Sequence, residues 1–260
     1  MVSRTTTRVP RSAAALLSTA MLLSACGWHD GRGGHDCRGD ERGERPGVAC
    51  PTSPDREDDH TVIGAADGRR EATLDLVNGS DVVRVRAADL GDDLYRISTG
   101  PDARVRPSVH VDGDTVLAGL AGTGRGGPAV VSIVLSDAVR WHVRLGGGAG
   151  EETVDLSGGR IAEVEFSAGT NRAEVTLPPP GGTVRVVMSG GASQLLVHLT
   201  GDAPVRVRAG GGAGTVTVDG ASRTGVAGGT VITPPAWAGA TDRYDIDATA
   251  GVSTLTVDRR

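Results

Sequence analysis

The chain contains no lysine, and only 2% of its 260 residues are aromatic. All 27 of its Lys and Arg residues are therefore arginines. So few aromatic residues leave Val, Leu, Ile and Ala to build the core, and they leave few rings on which a sugar could stack. After residue 25, the sequence has no apolar run long enough to cross a bilayer and no convincing helical period. These absences favour an all-β protein with a thin aliphatic core.

The charge balance is acidic. The formal net charge is −5, and removal of residues 1–25, which carry three arginines, would bring it to −8. A chain of this charge is a poor partner for nucleic acid or for an anionic lipid surface. We therefore expect no nucleic-acid function.

The N-terminus has the three parts of an export signal. Three arginines accompany an apolar run from Ala13 to Leu23, which is about half the length that a membrane-spanning helix needs. The run ends in Leu23-Ser24-Ala25-Cys26, which resembles the lipobox of bacterial lipoproteins. That resemblance implies cleavage before Cys26, lipid on the Cys26 thiol and attachment to the extracytoplasmic face of the cell membrane. The alternative is an ordinary signal peptide followed by an incidental cysteine.

Residues 26–60 are rich in Gly, Asp, Arg and Glu and have few apolar side chains. Such a segment cannot bury enough surface to offset its chain entropy, so it is predicted to be a disordered tether. Cys37 and Cys50 lie beyond the lipobox in an oxidising compartment, where a disulfide between them is expected. A metal site at His29, His35 and Cys37 is the weaker alternative, because its fourth ligand is unclear.

From residue 61 to residue 128 the pattern changes to short alternating strands. Apolar pairs such as Leu74 and Leu76 are separated by Gly, Asp and Pro clusters at the roughly 8–12-residue spacing of all-β structure. No strict repeat extends through this part. It is predicted to be either a set of irregular coils or a small β cap, since repeat arrays need their open edges covered.

Residues 129–260 repeat with a period of about 21 residues. One set of valines has spacings of 21, 22 and 21 residues and comprises Val143, Val164, Val186 and Val207. A second set with the same spacings alternates with it and comprises Val154, Val175, Val197 and Val218. Glycine-rich turns separate the sets, which predicts a parallel β-solenoid with two strands per coil and the valines inside. A stack of antiparallel hairpins is the alternative, but columns that keep phase across four rungs favour the parallel array.

The residues between the inward valines face solvent, because side chains alternate along a strand. They form one outward column of His142, Glu163, Arg185 and Arg206, and another of Arg144, Glu165, Val187 and Arg208. Cations and carboxylates on adjacent rungs allow favourable cross-strand pairs. The arginines of these columns are a possible ligand face: Arg144, Arg185, Arg206 and Arg208.

The last rung of the solenoid follows an insertion. Ile246 lies 39 residues after Val207, so one coil has accepted about 18 residues beyond the usual period. The inserted loop runs from about residue 220 to about residue 240 and carries Trp237. Insertions in solenoids fall on loops and often form the binding face. Trp237 is therefore predicted either to cap the open end of the array or to contact a ligand.

Several short motifs resemble those of a known group of domains. The strand pairs with Gly-Gly-Ala-type bends, the run Leu177-Pro178-Pro179-Pro180 and the closing segment 250–257 resemble bacterial adhesin-like or toast-rack-like β-solenoid domains. Such domains also form the extracytoplasmic part of cell-wall-stress regulators of the LiaF type. The resemblance covers about residues 61–260 and implies no cofactor and no catalytic residues, and no metal is expected. The lipobox cysteine departs from the membrane-helix arrangement of those regulators.

Two chemical alternatives have weak support in the sequence. Residues 122–127 fit the glycine spacing of a dinucleotide-binding fingerprint, but Pro128 and a strand follow where a helix N-terminus is required. A polysaccharide lyase or hydrolase is the serious enzymatic alternative, because parallel β-helices often host such enzymes. Those sites need clustered carboxylates, whereas Asp155 and Glu174 fall on adjacent rungs in different outward columns. We therefore expect a protein without a catalytic site.

The favoured function is that of a surface-exposed, lipid-anchored, non-catalytic envelope protein. Its solenoid would act in adhesion, in cell-wall interaction or in envelope-stress sensing, with wall polymer or an envelope protein as its partner. A structural spacer without a discrete ligand is the further alternative.

Overall fold

The computed structural model describes residues 60–260, which lie within one compact unit, Thr52–Arg260. The predictions about the signal peptide, the lipid on Cys26, the tether, the Cys37–Cys50 pair and a metal site at His29 and His35 lie outside the described residues. Within residues 60–260, the regular structure is β-strand apart from 3-10 turns such as Pro235–Trp237. No helix in this part of the chain is long and apolar enough to cross a membrane.

The strands form two sheets of mostly parallel strands. In spatial order, the ten-stranded sheet comprises β1 (Thr61–Ala65), β4 (Asp93–Thr99), β7 (Val130–Ser136), β3 (Ser80–Ala88), β9 (Ala149–Asp155), β11 (Thr170–Leu177), β13 (Ala192–Leu199), β19 (Val252–Arg259), β15 (Ala213–Val218) and β16 (Ala221–Val226). The nine-stranded sheet comprises β17 (Thr230–Ile232), β14 (Val205–Ala209), β18 (Arg243–Ala248), β12 (Thr183–Met188), β10 (Arg160–Phe166), β8 (Arg140–Leu145), β2 (Glu71–Leu76), β6 (Thr115–Gly122) and β5 (Val105–Asp112).

Each coil contributes one strand to each sheet, and the valine columns point inward. Val143, Val164 and Val186 pair in register on β8, β10 and β12. All three are buried, as is Val175 in the facing sheet. The prediction of an all-β, parallel β-solenoid with two strands per coil is confirmed.

The inward side chains of both sheets form one core, made chiefly of aliphatic residues. Burial of each valine or leucine contributes about 1.5–3 kcal/mol relative to exposure. Two large buried aromatic residues, Trp141 and Tyr244, also have hydrogen-bonded polar atoms. Trp141 Nε1 donates to Ser136 O at 2.9 Å, and Tyr244 Oη donates to Pro178 O at 2.7 Å.

The last coil in the sequence is not the last coil in space. β18 lies between β12 and β14, and β19 lies between β13 and β15. Ile246 therefore pairs with both Val186 and Val207. The 21-residue period predicts Val207 directly beside Val186, and this prediction is wrong. A period fixes the phase of a strand but not its neighbour, because every coil presents the same kind of inner face.

The same interleaving occurs at the N-terminal end. β2 lies between β6 and β8, and β3 lies between β7 and β9. Val85 therefore pairs with both Ile133 and Val154, although the period predicts these two side by side. Strands β2, β3 and β6 thus form parallel pairs in the same two sheets as the strands of residues 129–260.

The outward charges favour the interleaved order. Asp245 on β18 pairs in register with both Arg185 and Arg206, and its Oδ2 lies 2.6 Å from Arg206 NH2. If β12 and β14 were neighbours, Arg185 would stand directly opposite Arg206, and like charges in that position destabilise a strand pair. Asp247 likewise lies 3.4 Å from Arg208. The acidic strand β18 therefore separates two basic strands.

Antiparallel strands line the outer edges of both sheets. At the N-terminal end, β5 pairs with β6, and β4 and β1 extend the ten-stranded sheet beyond β7. At the C-terminal end, β16 pairs with β15 and β17 pairs with β14. β16 and β17 belong to the inserted segment predicted from the sequence. They cover edges of the parallel coils that would otherwise offer free backbone groups.

Candidate binding faces

The outer face of the nine-stranded sheet carries a ladder of alternating charge. Arg144 on β8 lies between Asp75 at 3.7 Å and Glu165 at 3.5 Å. Glu163 Oε2 lies 3.5 Å from Arg185 NH1. With the pairs made by β18, these residues are the charged ladder: Asp75, Arg144, Glu163, Glu165, Arg185, Arg206, Arg208, Asp245 and Asp247.

The structure brings the four sequence-predicted arginines onto this one face, each with a carboxylate partner. The side chains of Arg144 and Arg185 remain 52% and 53% exposed, whereas that of Arg206 is 24% exposed. Arg206 donates to both oxygens of Asp245, at 2.9 and 2.6 Å, and these hydrogen bonds raise the pKa of its guanidinium. Exposed ion pairs contribute little to stability. Contact of these arginines with a ligand stays a prediction.

A shallow depression of about 310 Å³ opens on the charged ladder. Its lining comprises Thr73, His142, Val143, Arg144, Glu163 and Glu165. It lies where the pairing of β10 with β8 skips Ala162, and a bulge of this kind bends a strand locally. The lining carries both signs of charge and contains no Trp, Tyr or Phe side chain. It therefore suits a polar group of a ligand better than a stacked sugar ring.

Trp237 is buried, with 9% exposure. The guanidinium carbons of Arg206 and Arg243 lie 3.7 and 4.3 Å from the centre of its ring. Its indole Nε1 donates a hydrogen bond to Tyr244 O at 2.7 Å. Cation–π contacts contribute about 0.5–1 kcal/mol each at exposed sites and more when desolvated. These contacts give Trp237 a supporting position at the end of the array, and its contact with a ligand stays a prediction.

His198 lies at the centre of an ion-pair network on the ten-stranded sheet and is 5% exposed. Its Nδ1 lies 2.6 Å from Asp258 Oδ1, and its Nε2 lies 3.3 Å from Glu174 Oε1 and 2.9 Å from Arg260 NH2. The hydrogen bond from Arg172 holds the pKa of Glu174 below its usual value, with His198 and Arg260 acting in the same direction. The charged side chains of this network therefore pair with one another.

Sequence patterning did not single out Arg84 and Arg86, because they precede the strict 21-residue repeat. Both are exposed on β3, where they alternate with the buried Val83 and Val85. That alternation is the signal that could have found them, since it places both arginines on the outer face of the sheet.

Glu152 is a buried carboxylic acid on the inner side of the ten-stranded sheet. It is 1% exposed, and the register places it between Val83 and Ala173. Its Oε2 has no hydrogen-bond partner among the described residues. Burial raises the pKa of Glu152 to about 7, although a hydrogen bond with Thr170 acts in the opposite direction. Glu152 stands two residues before the inward Val154, so alternation could have placed it inside.

The structure keeps the carboxylates considered for catalysis apart. Glu174 is in register with Thr153, and Asp155 is in register with Thr176, so the two acids stand in different columns. Among residues 60–260, no group of three or more His, Cys, Asp or Glu side chains could hold a metal ion. Gly122 is the last residue of β6 and residues 123–127 precede β7, so the glycine-rich segment connects two strands.

Comparison with known proteins shows the fold. No protein-family model matches the chain, and no curated protein has a matching sequence. Among solved structures, a candidate cell adhesion protein from Clostridium sporogenes is similar, with a TM-score of 0.55 and 16% identity over 77% of this chain and 98% of that chain. A candidate adhesin from Bacteroides fragilis has a TM-score of 0.26 and 11% identity over 76% of this chain and 96% of that chain, which carries no argument. The first likeness, at 16% identity, shows the fold alone.

Proposed function

We propose that this protein is a lipid-anchored, surface-exposed envelope protein that acts in adhesion or cell-wall interaction and does not catalyse a reaction. The observation that carries the proposal is the pair of outer sheet faces, on which charged and hydroxyl side chains recur in columns. Neighbouring strands lie about 4.8 Å apart, and outward side chains on one strand lie about 6.6 Å apart. Such an array matches a repeating polymer better than a single small molecule.

The fold supports this proposal. One continuous core joins both sheets, so the faces form a rigid support for side chains that meet a ligand. The Clostridium sporogenes protein of similar fold is a candidate cell adhesion protein, which favours the same role here. The resemblance of the glycine bends and the triple proline to adhesin-like domains points in the same direction.

The lipid anchor rests on Cys26 and can be tested directly. Growth of expressing bacteria with a labelled fatty acid should label the full chain. Cys26→Ser should abolish the label and release the protein from the membrane fraction. Cys37→Ser is the matched control and should keep both the label and the membrane association. Label that persists in Cys26→Ser would contradict the anchor.

The adhesive role is tested with the mature chain carrying Cys26→Ser, which keeps the protein free of lipid. We expect it to sediment with purified cell-wall polymer and to stay in solution with wall-depleted membranes. Sedimentation with membranes alone would indicate an envelope protein as the partner. Absence of binding to either fraction would contradict the proposal and favour a spacer role.

A further inference from the structure

Three arginines lie close together on the outer face of the ten-stranded sheet. Arg84 and Arg86 project from β3, and Arg96 projects from β4. Arg86 and Arg96 belong to one cross-strand column, in which Val134 of β7 lies between them. Strand geometry puts the Cα atom of Arg86 about 6.6 Å from that of Arg84 and about 9.5 Å from that of Arg96. These three residues are the basic patch.

Two cations of the basic patch, Arg84 and Arg86, have no ion-pair partner among the residues that the structure describes. Among residues 60–260, no carboxylate lies within ion-pair distance of Arg84 or Arg86. Asp155 is in register with Arg86, but its Oδ1 accepts hydrogen bonds from Ser157 N at 3.1 Å and from Ser157 Oγ at 2.7 Å. The guanidinium groups of Arg84 and Arg86 are therefore available to a ligand.

Hydroxyl groups surround the basic patch. Ser132 and Ser98 continue the column of Arg84 on β7 and β4, and Thr153 continues it on β9. The side chain of Arg96 stays 48% exposed, although Asp93 lies 3.6 Å away. The face therefore presents guanidinium and hydroxyl donors side by side.

The charged ladder of the opposite face differs in this respect. Arg144, Arg185 and Arg206 each have a carboxylate partner on a neighbouring strand. An anion that binds there must compete with that carboxylate. An anion that binds Arg84 and Arg86 does not have to displace a carboxylate, so the basic patch is the better anion-binding surface.

We propose that the basic patch is the docking surface for an anionic cell-wall polymer, with a phosphate or carboxylate group on each repeat. This inference rests on the proposed function and deepens it, because it names the charge of the polymer and the face that binds it. Guanidinium groups bind both kinds of anion through two parallel hydrogen bonds. A linear polymer engages several cations at once, so individually weak contacts combine.

Local charge complementarity at the basic patch argues for this occupant, although the chain as a whole is acidic. The chain has a net charge of −5 and as a whole repels anions, so a polyanion binds where cations are locally unpartnered. The flat sheet face also gives a linear chain room to lie across several strands.

The test compares three double variants with the unlipidated wild-type chain. The probes are poly(glycerol phosphate), polygalacturonate and uncharged dextran. Arg84→Thr/Arg86→Thr removes the unpartnered cations, and threonine is favoured in strands. Arg125→Thr/Arg223→Thr is the matched control, because it removes the same charge from exposed arginines outside the patch. Arg144→Thr/Arg185→Thr weakens the charged ladder. Urea unfolding midpoints check that each variant folds.

We expect the wild type to bind an anionic polymer and not dextran. The Arg84→Thr/Arg86→Thr variant should bind at least about tenfold more weakly, because two charge-assisted contacts are lost. The slope of log K against log salt should shrink by about 1.4 for those two contacts, while the control behaves as the wild type.

Three outcomes would overturn the inference and leave the proposed function standing. They are unchanged binding by Arg84→Thr/Arg86→Thr, equal loss in the matched control, and equal binding of the wild type to dextran. Loss confined to Arg144→Thr/Arg185→Thr would move the site to the charged ladder and overturn it as well. Failure of the wild type to bind these polymers and whole purified wall would contradict both proposals.

Discussion

Glu152 places a carboxyl group inside the core. Burial of a protonated carboxyl group between Val83 and Ala173 costs much less free energy than burial of a carboxylate. With a folded-state pKa of about 7, Glu152 holds a proton that the unfolded chain, with an ordinary pKa of 4.5, has already released. The free energy of unfolding therefore falls as the pH rises from about 4.5 to about 7.

Glu152→Gln should remove this pH dependence. Each unit of pKa shift corresponds to 1.36 kcal/mol, so the wild type should lose about 3 kcal/mol between about pH 4.5 and about pH 8 through this group. The amide does not titrate, so the variant should lose less over that range and should be the more stable protein at the alkaline end. Urea unfolding at both pH values measures the difference. Parallel curves for the two proteins would contradict the assignment.

Trp237 should act on stability. Trp237→Ala removes a buried ring, its contacts with Arg206 and Arg243 and its hydrogen bond to Tyr244 O. We expect a loss of about 3–5 kcal/mol in the free energy of unfolding. Wall-polymer binding, measured well below the melting temperature, should stay within about twofold of the wild type. A large loss of binding with little change in stability would instead make Trp237 a ligand contact.

At the scale of single elements, the glycine turns let neighbouring coils touch. A Cβ atom on Gly190 would overlap the backbone of Ala168 in the adjacent coil, and one on Gly147 would overlap the backbone of Asn78. These turns lie at the same edge of successive coils. Glycine recurs there because a Cβ atom would not fit between the coils.

Gly190→Ala should therefore destabilise the solenoid by about 2–3 kcal/mol, because the added methyl group forces two coils apart. Gly158→Ala is the matched control, since a Cβ atom there has open space and the backbone does not need a positive φ. The control should be neutral or slightly stabilising. Urea unfolding midpoints of the two variants measure the difference, and equal midpoints would contradict the close-packing account.

Much of the element level could be predicted from the sequence, because inward valines and glycine turns recur with one period. Val143, Val164 and Val186 pair as that period predicts. The neighbour of Val207 could not be predicted from the period, since all coils share one phase. The charges indicate that neighbour, because Arg185 and Arg206 would repel each other side by side, whereas Asp245 between them attracts both.

The candidate site was less predictable. The charged ladder follows from alternation, whereas Arg84 and Arg86 lie where the repeat is irregular. Their availability depends on Asp155, whose carboxylate bonds to Ser157 and does not pair with Arg86. Side-chain choices of this kind depend on turn geometry and leave no periodic signal in the sequence.

For the whole molecule, interleaving places the two C-terminal strands, β18 and β19, inside the sheets. In a simple repeat array, each coil contacts only its sequence neighbours, so a terminal coil can be removed at limited cost. Here β18 and β19 stand between two other coils in both sheets. Their loss would open a gap within each sheet, which is more damaging than a shorter array.

Deletion of residues 243–260 should therefore abolish cooperative folding. β14 would lose its parallel partner β18, and β15 would lose its parallel partner β19. The inner faces of the neighbouring coils would then be exposed to water. Circular dichroism and the dispersion of amide signals in proton NMR measure the result. A well-dispersed spectrum from a shortened but folded solenoid would contradict the interleaved order.

Both proposals depend on binding of the solenoid to the cell wall. The most direct measurement is the bound fraction of the unlipidated mature chain after sedimentation with purified wall, over a series of salt concentrations. We predict binding at low salt that declines as salt rises, because exposed arginines meet anionic groups. Absence of binding at low salt, or binding that salt does not change, would contradict the account.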